Sequence, residues 1–93
     1  MAAFWFKKSA DQGSPIAQYN LGNCYKIGQG VIKDIVETYA YFNLSGISHE
    51  PARKNREKLE KEMTRSQITA GQKRSKELQK EIEAKINAKG EKK

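Results

Sequence analysis

One cysteine and one histidine are the side chains of this sequence best suited to covalent or metal chemistry. A cysteine thiolate is a nucleophile and a metal ligand, and an imidazole is a base or a metal ligand near neutral pH. Cys24 has no histidine near it in the sequence and falls on the apolar face of a predicted helix. His49 has no cysteine, second histidine or acidic cluster beside it, whereas a metal site needs three or four converging ligands. We therefore predict a buried, unreactive Cys24 and no metal site.

The glycine-rich segment Gly28-Gln29-Gly30 is a candidate phosphate-binding turn. A dinucleotide-binding fingerprint requires a preceding strand and a third glycine. Here a predicted helix precedes the segment, and Lys33 occupies the position of the third glycine. We interpret the glycines as a turn between helices, with Val31 packed against the core. Because no serine has an identifiable partner base, the sequence predicts neither an enzyme nor a cofactor.

The basic residues are the remaining candidates for binding. The 93 residues include 18 lysines and arginines and 11 acids, so that the net charge is +7. Residues 1–49 carry +1 and residues 50–93 carry +6, yet all eight aromatic residues precede residue 43. Single-stranded nucleic acid is bound by aromatic side chains inside a basic groove, and here the two features lie in different halves. A nucleic-acid-binding surface in residues 50–93 is therefore kept only as an alternative, which the eight glutamates of that half disfavour.

Length and composition limit the class of protein. A chain of 93 residues forms one small domain. No apolar run approaches the roughly 18 residues that a membrane span needs. The apolar start of the sequence is followed by basic residues, the reverse of the order in a signal peptide. We therefore expect a cytoplasmic protein without a membrane span.

Helix start and stop signals occur along the whole sequence. Pro15 and Pro51 each follow a polar residue and open an apolar-periodic stretch. Asp34 and Thr64 each precede a glutamate or glutamine by three residues, which is the capping-box spacing. The predicted helices are about 2–12, 15–27, 34–47, 51–62 and 64–89. Since no segment alternates between apolar and polar residues with period two, the predicted fold is all-α.

The sequence also repeats itself. A shift of 36 residues places Trp5-Phe6 on Tyr41-Phe42. The same shift places Pro15 on Pro51, so that two helix starts coincide as well. A period of about 35 residues that contains two helices is typical of a helix-turn-helix solenoid repeat.

The residues from Ala17 to Asp34 resemble the core of the Sel1-like repeat (SLR), a tetratricopeptide-type α-solenoid. The helix before them resembles the second helix of a preceding repeat, and Tyr41-Phe42 that of the next. The matching structural positions are Trp5, Phe6, Gly13, Ala17, Leu21, Gly22, Tyr25, Gly28, Gly30, Asp34, Tyr41 and Phe42. The resemblance implies a right-handed solenoid of antiparallel helix pairs.

The implied domain organisation is a repeat domain at 1–78, followed by a charged helical extension and disordered tail at 79–93. The domain contains a partial first repeat, one full repeat at 15–47 and a degenerate closing repeat from residue 51. We expect the last helix to pack on the helix before it up to residue 78. Beyond about residue 80 we expect it to project from the domain, with disorder from Gly90.

Glycine within a helix costs about 1 kcal/mol of helix stability relative to alanine. A glycine kept at that cost usually allows another group to approach closely, and at Gly22 we expect this group to be an aromatic ring. The ring would be that of Phe42 or Tyr41. Leu21, Cys24 and Tyr25 are placed by helical spacing to face the neighbouring helix.

The resemblance implies a non-catalytic adaptor or scaffold that presents a concave helical groove to another protein. The first helix of each repeat lines that groove, and a shift of 35 residues relates its side chains in the two repeats. The predicted partner-binding residues are Tyr19, Asn23, Lys26, Lys54, Lys58 and Lys61. The lysine row predicts an acidic peptide or the carboxyl terminus of a polypeptide as the ligand, and a merely solvated lysine face is the alternative.

A second hypothesis is structural. The first helix carries Phe4, Trp5 and Phe6 without the helix that precedes it in a full repeat. The protein would then be the C-terminal end of a longer array, and it would associate as a homodimer through this aromatic surface.

Overall fold

The chain folds into five helices, and capping residues, prolines and glycines mark where most of these helices begin and end. In the computed structural model, which describes residues 2–91, the helices are α1 (Ala2–Ala10), α2 (Pro15–Ile27), α3 (Ile35–Ser45), α4 (Glu50–Glu60) and α5 (Arg65–Glu91). No strand occurs among the described residues. The predicted all-α class is therefore confirmed.

Side-chain caps fix the beginnings of three helices. The Ser14 Oγ accepts a hydrogen bond from the Ala17 N–H at 3.3 Å, ahead of Pro15 in the first turn of α2. The Asp34 carboxylate accepts two backbone N–H bonds of the first turn of α3, at 3.0 and 3.1 Å. Thr64 and Gln67 form a reciprocal capping box before α5, at 2.9 and 3.1 Å.

Glycines provide the turns that follow α1 and α2. Gly13, Gly28 and Gly30 have φ angles of 91°, 74° and 77°, a left-handed conformation that other residues adopt at a cost. The Asp34 N–H then donates to the Tyr25 carbonyl at 3.0 Å and closes the second turn. Val31 packs against the core from this turn, as predicted.

Helix α3 lies at the centre of the molecule and contacts α2, α4 and α5. Its core residues are Thr38, Tyr39, Ala40, Tyr41, Phe42, Leu44 and Ser45, none of them more than 9% exposed. A helix that is buried on nearly all sides must be covered by its neighbours, so α3 determines where the other helices lie.

Two glycines allow neighbouring helices to approach the rings of α3. A Cβ atom on Gly22 would lie 2.7 Å from Phe42 Cε1, which confirms the predicted contact between this glycine and an aromatic ring. A Cβ atom on Gly71 of α5 would lie 2.5 Å from Tyr39 Cδ1, a contact that the sequence did not predict. Both positions therefore exclude larger side chains.

The packing of α5 differs from the prediction. We expected this helix to pack on α4, but it packs on α3 and reaches α1. Ile82, which was expected to lie in a projecting segment, is only 7% exposed and shares a core cluster with Ala3 and Ala10. The Lys85 ammonium also pairs with the Asp11 carboxylate at 2.9 Å. The physical reason is length, because 27 helical residues extend about 40 Å, enough to cross α3 and continue over α1.

Helix α5 continues to Glu91, and residues 92 and 93 lie outside the described residues. The disorder expected from Gly90 stays a prediction. The division of the protein after residue 78 stays a prediction. In the described part of the chain, the helices lack the length and apolar character needed to cross a membrane.

Candidate partner-binding groove between α2 and α4

Helices α2 and α4 are joined at one point by a hydrogen bond between side chains. The Asn55 amide donates to the Tyr19 hydroxyl at 2.7 Å. The Tyr19 ring lies 5.6 Å from the ring of Phe42 and 5.1 Å from that of His49. Tyr19, which was predicted to contact a partner, therefore also holds α2, α3 and α4 together. Tyr19 marks one end of the surface between α2 and α4 that was predicted to be a partner-binding groove.

A small pocket of about 180 Å³ lies where the C-terminal ends of α2 and α4 meet the start of α3, and we take it as the other end of the predicted groove. Its apolar lining consists of Ile35, at the start of α3, and Leu59, which is buried against the core. Its polar lining consists of Lys26, Lys33 and Glu62. The three helices and the turn before α3 meet here, so the pocket exists only in the folded protein.

The pocket contains both signs of charge, with lysine in excess. Among the described residues, neither Lys26 nor Lys33 has a carboxylate oxygen within 4.0 Å. Glu62 contributes one negative charge on the α4 side. A ligand with an apolar group and one or more carboxylates would therefore match this pocket.

A stripe of three lysines beside the predicted groove consists of two on α4 and one directly after this helix. Lys54, Lys58 and Lys61 are exposed, and their spacing of four and three residues places them on one face. Lys54 pairs with Glu50 at 3.1 Å, so its charge is partly compensated. Among the side chains of residues 2–88, no carboxylate oxygen lies within 4.0 Å of the other two ammonium groups.

Asn23 is half-buried on α2, between Tyr19 and Lys26 along the helix. Five of the six predicted partner-binding residues thus lie on α2 or α4, and Lys61 directly follows α4. Their role in binding stays a prediction. Sequence reasoning did not include Lys33, Ile35, Leu59 or Glu62. The sequence signals one of these four residues: Lys33 directly precedes Asp34, the predicted cap of the next helix.

The two residues considered for covalent or metal chemistry both pack against other side chains of the fold. Cys24 is buried in the core cluster around α2 and α3, and burial raises the pKa of its thiol, which disfavours the thiolate. His49 packs beside Tyr19 at the start of α4. Within residues 2–88, whose side chains the structure describes, histidine, cysteine and acidic side chains form no group of three that could hold a metal ion.

The surface of α1 presents exposed aromatic rings. Phe4 and Trp5 are 60% and 61% exposed, and they contact each other edge to face at 5.3 Å. The Lys8 ammonium lies within 6 Å of both ring centres. Phe6 differs from the prediction, because it is half-buried against the core and so does not belong to the exposed surface.

Comparison with known proteins identifies repeats in the first half of the sequence. A family model described as Sel1 repeat matches residues 1–14 and 15–46. None of the curated proteins matches the sequence significantly.

A solved structure resembles nearly all of this protein. It is that of c5321, described as a protective antigen of uropathogenic Escherichia coli strains that displays an SLR fold. The two share 29% sequence identity with a TM-score of 0.82, and the match covers 97% of this protein and 20% of the other. The sequence thus spans about a fifth of that protein's length, and the likeness confirms the predicted α-solenoid fold.

Proposed function

The chain is a Sel1-like repeat protein, and from this premise we propose that it is a non-catalytic adaptor or scaffold module whose α2–α4 groove binds an acidic segment of a partner protein. Sel1 repeats generally mediate interactions between proteins. The observation that carries the proposal is the pocket at the end of the groove. Lys26 and Lys33 border an apolar surface there and have no carboxylate partner among the described residues.

The groove offers a ligand two kinds of contact. The apolar surface of Ile35 and Leu59 can accept one aliphatic side chain, since about 180 Å³ is close to the volume of a single residue. Lysines on α2, on α4 and in the turn can pair with carboxylates that flank this aliphatic group. The exposed lysines of α4 would act mainly at long range, by raising the rate of encounter with an acidic peptide.

Binding of labelled peptides tests the proposal. The probe is a short peptide of leucine and glutamate residues, and its control carries glutamine in place of glutamate. We expect the acidic peptide to bind more tightly, with an affinity that falls as salt is added. The double substitution Lys26→Ala and Lys33→Ala, which removes both lysines of the pocket, should weaken binding about three- to tenfold and flatten the salt dependence.

A matched variant separates this site from the general positive charge of the protein. Lys73→Ala with Lys80→Ala removes the same charge from exposed positions on α5. This variant should retain the affinity of the unmodified protein. Equal losses in the two variants would show that the peptide responds to net charge and would contradict a specific groove. Duplex DNA of random sequence, added as a competitor for the labelled peptide, tests the nucleic-acid alternative. Displacement of the peptide that weakens steeply as salt is added would support that alternative.

A second candidate function rests on the exposed rings of α1. We propose as the alternative that the protein is the C-terminal end of a longer repeat array, or that it associates with itself through Phe4 and Trp5. The family match over residues 1–14 is less than half as long as the match over residues 15–46, which is what a partial first repeat would give. A cavity of about 260 Å³ beside Phe4, lined also by Leu21 and Tyr25, adjoins this surface.

Sedimentation equilibrium over a wide concentration range tests self-association. A molecular mass that rises with concentration, and that returns to the monomer value in Phe4→Ser/Trp5→Ser, would support it. A monomer at all concentrations would contradict it and would leave a preceding repeat as the partner of α1. The peptide experiment is independent of this result, because the groove and the rings use different residues.

A further inference from the structure

A second groove runs along α5, where this helix passes the C-terminal end of α3. Two adjoining cavities of about 240 and 380 Å³ form it, and both are lined by Leu44, Ile47 and Gln79. None of its lining residues belongs to the pocket between α2 and α4. We call it the α5 groove.

One wall of the α5 groove is a stripe of polar side chains. Gln72, Lys76, Gln79 and Glu83 follow one another at spacings of four, three and four residues, so they lie on one face of α5. The stripe is about 16 Å long, the rise of 11 helical residues. An extended peptide of about five residues has the same length.

The floor and the opposite wall of the α5 groove are apolar. Leu44 and Ile82 form the buried floor. Ile47, in the turn between α3 and α4, lines the opposite wall and is 74% exposed. An isolated exposed isoleucine is ordinary on a protein surface, but this one adjoins buried apolar residues in a concave site, where a bound apolar group would cover it.

Hydrogen bonds hold this groove in shape. The Asn43 amide donates to Ser75 Oγ at 2.9 Å and so joins α3 to α5 along the groove. The Arg56 guanidinium donates to the side-chain Oδ1 of Asn43 at 3.0 Å and adds α4 to the same network. At the other end, Ser45 Oγ donates to the Pro15 carbonyl at 2.6 Å. The groove is therefore preformed, and a ligand would not have to order it.

The charges of the groove are few and of opposite sign. Lys76 and Glu83 lie about 10 Å apart along the helix axis. Within the described residues, neither has an oppositely charged group within 4.0 Å, although the Gln79 amide donates to the Glu83 carboxylate at 3.4 Å. By contrast, Arg74 and Lys85 of the same helix are engaged in ion pairs with α3 and with the end of α1.

We propose that the α5 groove binds an extended peptide segment in which an apolar residue lies between an acidic and a basic residue. The apolar group would cover Ile47 and contact the floor. The acidic residue would pair with Lys76 and the basic residue with Glu83, about three to four residues apart at the rise of an extended peptide. The glutamine side chains of the stripe can donate to and accept from the peptide backbone. This ligand has no net charge, so the site is separate from the basic α2–α4 groove.

Short synthetic peptides test this proposal. The two probes have one composition and opposite order: the acidic and basic residues lie three positions apart with a leucine between them, and the acidic residue comes first in one probe and last in the other. Because the peptide would have a fixed direction in the groove, one order should bind about three- to tenfold more tightly than the other, since two exposed ion pairs are lost on reversal. The double substitution Lys76→Glu and Glu83→Lys should reverse that preference.

The reversal is the decisive result, because a merely structural effect of the substitutions would weaken both orders equally. Equal binding of both orders, or binding of neither, would overturn the proposal. Ile47→Asp should reduce the affinity at least about tenfold, whereas Ile32→Asp, at an 89% exposed position elsewhere, should not change it. Circular dichroism of each variant verifies that the helices are intact.

Two further outcomes distinguish other ligands. Binding of a helix-forming analogue in preference to the extended peptide would overturn the extended mode. The Lys26→Ala/Lys33→Ala variant should bind these peptides as the unmodified protein does. Failure of the acidic peptide in the α2–α4 groove would therefore leave this result unaffected, and the reverse also holds.

Discussion

Helices α1 and α3 carry corresponding aromatic pairs in opposite surroundings. Trp5 on α1 is 61% exposed, and its counterpart Tyr41 on α3 is 1% exposed. The difference lies in the helix before each of them. Tyr25 of α2 stacks on Tyr41 at 5.9 Å and 7°, and Gly22 of α2 admits the ring of Phe42. The aromatic pair of a repeat is thus only half of a packing unit, which the preceding helix must complete.

The first prediction disrupts the packing of α2 on the aromatic pair of α3. Gly22→Leu should destabilise the fold by more than about 4 kcal/mol, because the new leucine meets a Phe42 ring that is buried on all sides. Urea unfolding followed by circular dichroism measures the loss. Ser9→Leu, at an exposed position of α1, should change stability by less than about 0.5 kcal/mol. A Gly22→Leu variant with unchanged stability would contradict the packing of α2 on Phe42.

The second prediction compares the two aromatic positions directly. Tyr41→Ala should cost about 3–4 kcal/mol in the free energy of unfolding, because it leaves a cavity in the core. Trp5→Ala should cost less than about 1 kcal/mol, because its ring is mostly in contact with solvent. The difference between the two midpoints of chemical unfolding is the measurement. Equal costs would mean that the ring of Trp5 is covered in solution.

The third prediction concerns the other side of α3. Gly71→Ala should cost about 1–3 kcal/mol, since its Cβ would overlap the Tyr39 ring. Tyr39 also donates a hydrogen bond to the Glu60 carboxylate at 2.7 Å, which limits how far the ring can shift. Ala70→Gly, next to it on the exposed side of α5, is the control and should lose only about 1 kcal/mol from helix propensity. A stabilised Gly71→Ala variant would show that propensity outweighs the contact.

Most of the helical framework could be predicted from the sequence, because helix ends are determined by nearby residues. Pro15, Asp34 and Gly28 act within one turn of where they lie. The path of α5 could not be predicted in this way. Glu37 has the spacing of a capping-box residue, but its carboxylate pairs with Arg74 of α5 at 2.6 Å, a contact between residues far apart in the sequence.

The candidate site shows the same division between local and distant signals. Lys26 and the lysines of α4 follow from helical periodicity and the repeat shift. The pocket beside them does not, because Lys33 and Leu59 meet only when the turn before α3 and the end of α4 are brought together. Tyr19 was predicted as a surface residue for a ligand, and its hydrogen bond to Asn55 joins residues 36 positions apart in the sequence.

The smallest expected effect concerns the attachment of α1 to α5. Partial burial raises the pKa of Asp11, but hydrogen bonds and ion pairs with Lys7 and Lys85 outweigh burial, so the pKa lies below its ordinary value. A carboxyl group with a lowered folded-state pKa stabilises the fold above its unfolded-state pKa of about 3.9. This contribution is lost as the pH falls through the folded-state pKa.

Asp11→Asn should therefore reduce stability by less than about 1 kcal/mol at neutral pH, since the ion pairs are partly exposed. The difference between the variant and the unmodified protein should be constant above about pH 5 and should vanish in acid. Thermal unfolding of both proteins across this range measures it, and Lys85→Gln should give a smaller difference with the same dependence on pH. A difference that persisted at low pH would mean that Asp11 stabilises the fold without its charge. Among the described residues, the contacts of α1 with α2 and α5 hold it in place.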